Sequence, residues 1–166
     1  MSMCYNKEIN CRNVFRKTVK LFLLLFISFS YGFANADEHI KPHHLSLFVG
    51  GTHALDHDLN GETLGLDYEY RVSELIGLGM VAEYAFHEIE ATTLIAVADI
   101  YTPFGLMMQI GPGVELTDHA DRFLFRVGGL YEFDFGSFTV SPQLHWDIVE
   151  NHDDSLVFGF AFGKYF

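Results

Sequence analysis

The sequence predicts an all-β domain, an eight-stranded antiparallel transmembrane up-and-down β-barrel preceded by a cleavable signal peptide. Three observations predict it. Apolar side chains recur at every second position through the segments between residues 44 and 166, the period of a strand whose two faces meet different surroundings. The number of segments is even, and each is long enough for the ~9–11 residues of a tilted spanning strand. The faces opposite the apolar ones carry Gly, Ala and charged residues, with only Lys41 and Lys164 as lysines after residue 36. Such faces suit a narrow interior better than a water-facing surface.

The first 36 residues read as an export signal. Lys7, Arg12, Arg16, Lys17 and Lys20 form a basic region, residues 21–33 carry no charge, and Ala34-Asn35-Ala36 is a small-x-small cleavage pattern before Asp37. The apolar run is too short for the ~20 residues of a spanning helix. Cys4 and Cys11 both precede it, so the expected mature chain, residues 37–166, has no cysteine and no disulfide framework.

Strands are expected at 44–54, 62–73, 76–88, 91–101, 105–116, 121–134, 137–149 and 155–166. In the second, Leu64, Leu66, Tyr68, Tyr70 and Val72 alternate with Thr63, Gly65, Asp67, Glu69 and Arg71. The third sets Leu78, Met80, Ala82, Tyr84 and Phe86 against Gly77, Gly79, Val81, Glu83 and His87. The sixth sets Phe123, Phe125, Val127, Tyr131 and Phe133 against Arg122, Arg126, Gly128, Glu132 and Asp134. The seventh sets Phe138, Val140, Leu144, Trp146 and Ile148 against Thr139, Ser141, Gln143, His145 and Asp147, and the eighth closes on Phe158, Phe160, Phe162 and Phe166. In the fourth, Ile95 and Val97 blur the two faces.

Ser73-Glu74, Thr102-Pro103-Phe104-Gly105 and Phe135-Gly136-Ser137 read as tight turns. Segments 53–61, 87–92, 116–121 and 150–155 read as longer polar loops. That asymmetry puts the turns and both termini at the periplasmic end and the acidic loops outside.

Charge narrows the partners. Removing residues 1–36 takes five of 10 Lys+Arg and one of 22 Asp+Glu, leaving 5 against 21, a net of −16 with all nine His neutral. So acidic a chain has no electrostatic footprint for nucleic acid, and contact with anionic head groups needs bridging divalent cations.

The chain resembles the small eight-stranded outer-membrane barrels of Gram-negative bacteria, the OmpA/OmpX type, over roughly residues 40–166. The resemblance is carried by this architecture, by the terminal aromatic, and by Gly111-Pro112-Gly113-Val114-Glu115, Arg126-Val127-Gly128, Tyr131-Glu132-Phe133 and Ser141-Pro142. Lys164 departs from the family's terminal signature, which prefers an aromatic or apolar residue two places before the last; its stem can snorkel at a membrane edge. The resemblance implies the outer membrane as location, the barrel-assembly machinery as a partner in biogenesis, lipids and lipopolysaccharide as surroundings, and a monomer. It also makes a lipid A deacylase or acyltransferase the natural enzyme class, but no active-site residue of such an enzyme maps onto this chain.

On the inward register stand Asp67, Glu69, Arg71, Glu83, Glu115, Arg126, Glu132, His145 and Asp147. They are expected to form a lumen ion network, because isolated charges in a narrow interior are costly. If the turn at 135–137 sets the hairpin register, Arg126 lies across from His145 or Asp147. The alternative is a general base made of His145 and Asp147. The loop groups His57-Asp58, Asp118-His119-Asp121 and His152-Asp153-Asp154 have ligand chemistry for divalent metals but read first as a solvated acidic rim. His39, His43 and His44 read as a disordered lead-in. No catalytic residue and no cofactor are assigned.

The function expected is that of an integral outer-membrane protein with a structural or surface-interaction role and a plugged lumen. A narrow porin-like channel is second, since wide aqueous channels use about 16–18 strands. A lipid A-modifying enzyme is third.

Overall fold

The computed structural model describes residues 41–55, 59–117 and 120–166. The expected signal peptide, its cleavage site, and His39, His57, Asp58, Asp118 and His119 lie outside these residues. The strands are β1 (His43–Ala54), β2 (Leu59–Arg71), β3 (Ile76–Ala85), β4 (Ala91–Tyr101), β5 (Leu106–Leu116), β6 (Asp121–Tyr131), β7 (Phe133–Asp134), β8 (Thr139–Val149) and β9 (Ser155–Tyr165). Among the described residues there is no helix. Every ladder is antiparallel and joins consecutive strands, except that β6 pairs with β8 beyond the short β7 and β1 pairs with β9, so the sheet closes. Two-residue β7 only prolongs the line of β6 against β8, which leaves eight staves: the closed all-β barrel that the alternation predicts.

Closure removes every edge, and the burial pattern says which face is which. Along β3 exposed and buried residues alternate without a break. Exposed Leu78, Met80 and Tyr84 point out, while buried Gly77, Gly79, Val81, Glu83 and Ala85 point in. Around the outside Leu45, Leu47, Leu64, Leu66, Phe123, Phe125, Leu144, Trp146, Phe158 and Phe160 are exposed. The inside buries Arg126, His145, Gln109, Asp99 and Asp147. Apolar outside and polar inside is the inverse of a water-soluble barrel and the arrangement of one that spans a membrane.

Apolar side chains pack inside the barrel as well. Val81, Ile95, Val97, Leu124 and Val149 form one apolar cluster, and Tyr101, Met107 and Leu130 form a second. Ile95 and Val97 blurred the sequence pattern because they are inward residues in that first cluster. Phe48 also lies inside, 2% exposed, where glycines make room for its ring: a Cβ on Gly50 would stand 2.6 Å from its Cζ, and one on Gly159 2.9 Å from its Cε2.

Several boundaries differ from expectation. The β1–β2 ladder continues through His53↔Asn60 to Ala54↔Leu59, so the segment read as a loop over 53–61 is mostly strand. Strand 76–88 stops at Ala85, because His87 and Glu90 take left-handed φ values of 63° and 45°. Strand 121–134 is interrupted at Glu132, whose N–H donates to the Gly105 carbonyl in the adjacent turn. His43 and His44, read as a lead-in, open β1 opposite Tyr70 and Glu69.

Candidate functional site

The densest polar chemistry lies inside the barrel. Arg126 is placed mid-β6 between outward Phe125 and Val127, so its side chain enters the lumen. Register sets it opposite Asp147 on β8. Its Nε and Nη2 donate to Asp147 Oδ1 and Oδ2, both at 2.7 Å. Across the lumen, Nη1 and Nη2 donate to Glu83 Oε1 and Oε2 at 2.8 and 2.7 Å. One planar cation thus holds two carboxylates, each bidentately, at 1% exposure. The fork of guanidinium donors is the group whose geometry permits this, and the pairing offsets the desolvation of all three charges.

A second group lies toward the end bearing the short turns. The Tyr101 hydroxyl donates to Glu69, and the Tyr165 hydroxyl donates to the Glu132 carboxylate, 2.9 Å from each oxygen. Arg71 places its guanidinium 3.9 Å over the Tyr101 ring and 5.7 Å from the centre of the Tyr165 ring, a stacked cation between two phenols. His44 stacks on Tyr165 at 4.2 Å, and its Nε2 hydrogen-bonds Thr139 Oγ1 at 2.9 Å. Toward the other end, Arg122 pairs with Glu115 at 3.2 Å.

Between these groups lies a cavity of about 10 Å³ lined in part by Ser46, Asp67, Asp99, Gln109, Ser141 and Gln143, room for roughly one water. Gln109 Nε2 donates to Asp99 Oδ1 at 3.0 Å. His145 bonds through Nε2 to Gln143 Oε1 at 3.0 Å. It does not serve Asp147, whose two oxygens are taken by Arg126. The His145–Asp147 general base is therefore not formed.

The sequence-derived lumen residues thus fall into separate groups. Glu83, Arg126 and Asp147 form one, Glu69, Arg71 and Glu132 are joined through two tyrosines, and Glu115 goes with Arg122. Asp67 and His145 face the middle, each with one buried atom lacking a partner, Oδ1 and Nδ1. Asp99, Tyr101, Gln109 and Tyr165 were missed. The signal that could have found them is parity: Asp99 and Tyr101 share the parity of Ile95 and Val97, whose apolar character disguised an inward face.

Of the candidate metal residues, four are described: Asp121, His152, Asp153 and Asp154. His152 pairs with Asp153 at 3.6 Å. Asp154 is spent on the loop, accepting from the Val149 N–H and from Trp146 Nε1 at 3.2 and 3.1 Å. Asp121 is exposed at the start of β6. Among the described residues, no three His, Cys, Asp or Glu side chains come together so as to hold a metal ion.

No protein-family model and no curated protein matches the chain. Solved structures do resemble it in shape. A de novo designed transmembrane β-barrel is 18% identical, with a TM-score of 0.49 over 74% of this chain and 96% of the design. The N-terminal β-barrel domain of Pseudomonas aeruginosa OprF is 12% identical, with a TM-score of 0.47 over 72% of this chain and 96% of that one. The Yersinia pestis outer membrane protein Ail is 11% identical, with a TM-score of 0.48 over 74% and 99%. What this barrel does is read from its own surfaces.

Proposed function

We propose that the chain is an integral outer-membrane protein with a structural or surface-interaction role, its barrel plugged and its longer, acidic connections turned outward. One contrast carries the reading: a sheet apolar around its outer face encloses an interior whose largest fully buried side chain, among the described residues, is Arg126, clamped by two carboxylates. A protein that folded in water would leave that outer face to aggregate. The filled interior argues against the alternative, a narrow porin-like channel, because a passage would have to displace the Arg126 clamp and both apolar clusters. Catalysis is disfavoured by the diversion of His145 to Gln143.

The exposed acids at the far rim, among them Glu62, Glu88, Glu90, Asp121 and Glu150, suit contact with lipopolysaccharide through divalent cations, whose ligands would be shared with lipid phosphates. The barrel is complete within one chain, which supports a monomer inserted by the barrel-assembly machinery. Cell fractionation tests the proposal. The protein is expected with the outer membrane, migrating differently on a denaturing gel before and after boiling. A soluble periplasmic monomer that never enters membranes would overturn it.

A further inference from the structure

We propose that the end of the barrel bearing the short turns is itself embedded in the lipid surface: Leu75, Phe104 and Phe135, at the tips of the three turns, sit among the glycerol and upper acyl groups of a phospholipid leaflet, and Lys41 and Lys164 meet its phosphates. The inference rests on the membrane reading above and extends it from the staves to the turns.

Turn chemistry requires Gly, Pro, Ser or Asp at certain positions, and these are present: Ser73, Pro103, Gly105 and Gly136, with left-handed φ of 80° and 79° at the two glycines. Nothing in that chemistry requires a large apolar residue beside them. Yet each turn has one, Leu75 at 60%, Phe104 at 81% and Phe135 at 59% exposure. In every case the residue continues the lipid-facing belt: Leu75 adjoins exposed Ile76, Phe104 is followed by exposed Leu106, and Phe135 stacks on exposed Phe138 at 5.0 Å. The opposite rim is more acidic, with Glu62, Glu88, Glu90, Asp121 and Glu150 exposed there beside His87, Leu55 and Phe86, while the turns at this end expose two acids, Glu74 and Asp134.

The dimensions agree. A stave of 11 residues, at about 3.3 Å per residue and a tilt of about 40°, rises about 28 Å. The hydrocarbon core is about 30 Å thick, with some 5–7 Å of interface on each side. Residues two to four places beyond a strand end therefore lie in the interface. There the backbone must satisfy most of its own polar groups, and these turns do: Ser73 N–H donates to the Ile76 carbonyl at 3.0 Å, Gly105 N–H to the Thr102 carbonyl at 3.3 Å, and Phe135 N–H to the Phe138 carbonyl at 3.0 Å, while Gly136 N–H is capped by Asp134 at 2.6 Å. The basic charges also fit. Lys41 and Lys164, the only lysines after residue 36, are both exposed, and both lie at this end, Lys41 just before β1 and Lys164 near the end of β9. From there their stems can reach the phosphates.

The single tryptophan supplies the test. Native protein reports from Trp146 on the lipid face of β8. The doubly substituted Trp146→Phe/Phe104→Trp protein reports from the turn, and Trp146→Phe/Leu75→Trp is a second reporter should the first fail to fold. Each is refolded into phosphatidylcholine vesicles, plain or brominated on the acyl chain close to the glycerol. The expected result is loss of emission in brominated vesicles at 146 and at the turn position alike, with the turn reporter shielded from aqueous acrylamide. Quenching at 146 but none at the turn, with full acrylamide access there, would overturn the embedded turn while leaving the membrane barrel standing. No quenching at either position would overturn the barrel reading and this inference with it.

Discussion

Phe125 and Arg126 are neighbours in β6, yet one faces lipid and the other the lumen. On the outer face the surroundings are uniform hydrocarbon, and an apolar residue of another shape serves nearly as well. On the inner face each side chain answers to named partners across the barrel, as Arg126 answers to Glu83 and Asp147. The outer face is thus specified by composition and the inner face by pairing. Substitutions should expose the difference.

The largest effect is expected from Arg126→Leu, which leaves Glu83 and Asp147 buried together without a cation. Breaking a buried pair in this way costs about 3–5 kcal/mol, to be read from urea unfolding of the barrel in detergent or lipid. Unchanged stability would mean that the clamp contributes nothing. Next comes Phe125→Arg, which puts a cation on the lipid face at a cost of about 2–4 kcal/mol near the midplane; its insertion into vesicles should fall, and insertion at the native yield would contradict the outward register. Gly128→Ala is expected to cost about 1–3 kcal/mol by overpacking, because the added methyl overlaps the His145 ring and the Leu144 backbone. The smallest effect is expected from Phe125→Leu, below about 1.5 kcal/mol in the same unfolding assay. If Phe125→Leu proved as damaging as Arg126→Leu, the distinction between the faces would fail.

The same distinction explains what could be read from the sequence. Composition is local, so alternation at Leu64 to Arg71 or at Phe123 to Gly128 separates the faces without a structure. Pairing is partly local: the β6–β8 hairpin brings Arg126 to Asp147, one of the two partners the turn allowed. Glu83, 43 residues away, could not be assigned because its meeting with Arg126 depends on how the barrel closes. Asp99 and Gln109 escaped for another reason: β4 buries Ile95 and Val97 inside, so apolarity no longer marks the outside there. The loop at 53–61 was overestimated because His53 and Asn60 are polar. They pair with each other across β1 and β2, their side chains 2.9 Å apart, so polarity there marks the approach to the rim and not the end of the ladder.

That the interior is held shut by such pairing is tested most directly by single-channel recording in planar bilayers. Native protein, inserted and shown folded by its gel shift, should give little or no steady conductance, since a passage would have to displace the Arg126 clamp and both apolar clusters. Large, regular, ion-selective openings from the native protein would contradict the plugged barrel and establish the channel in its place.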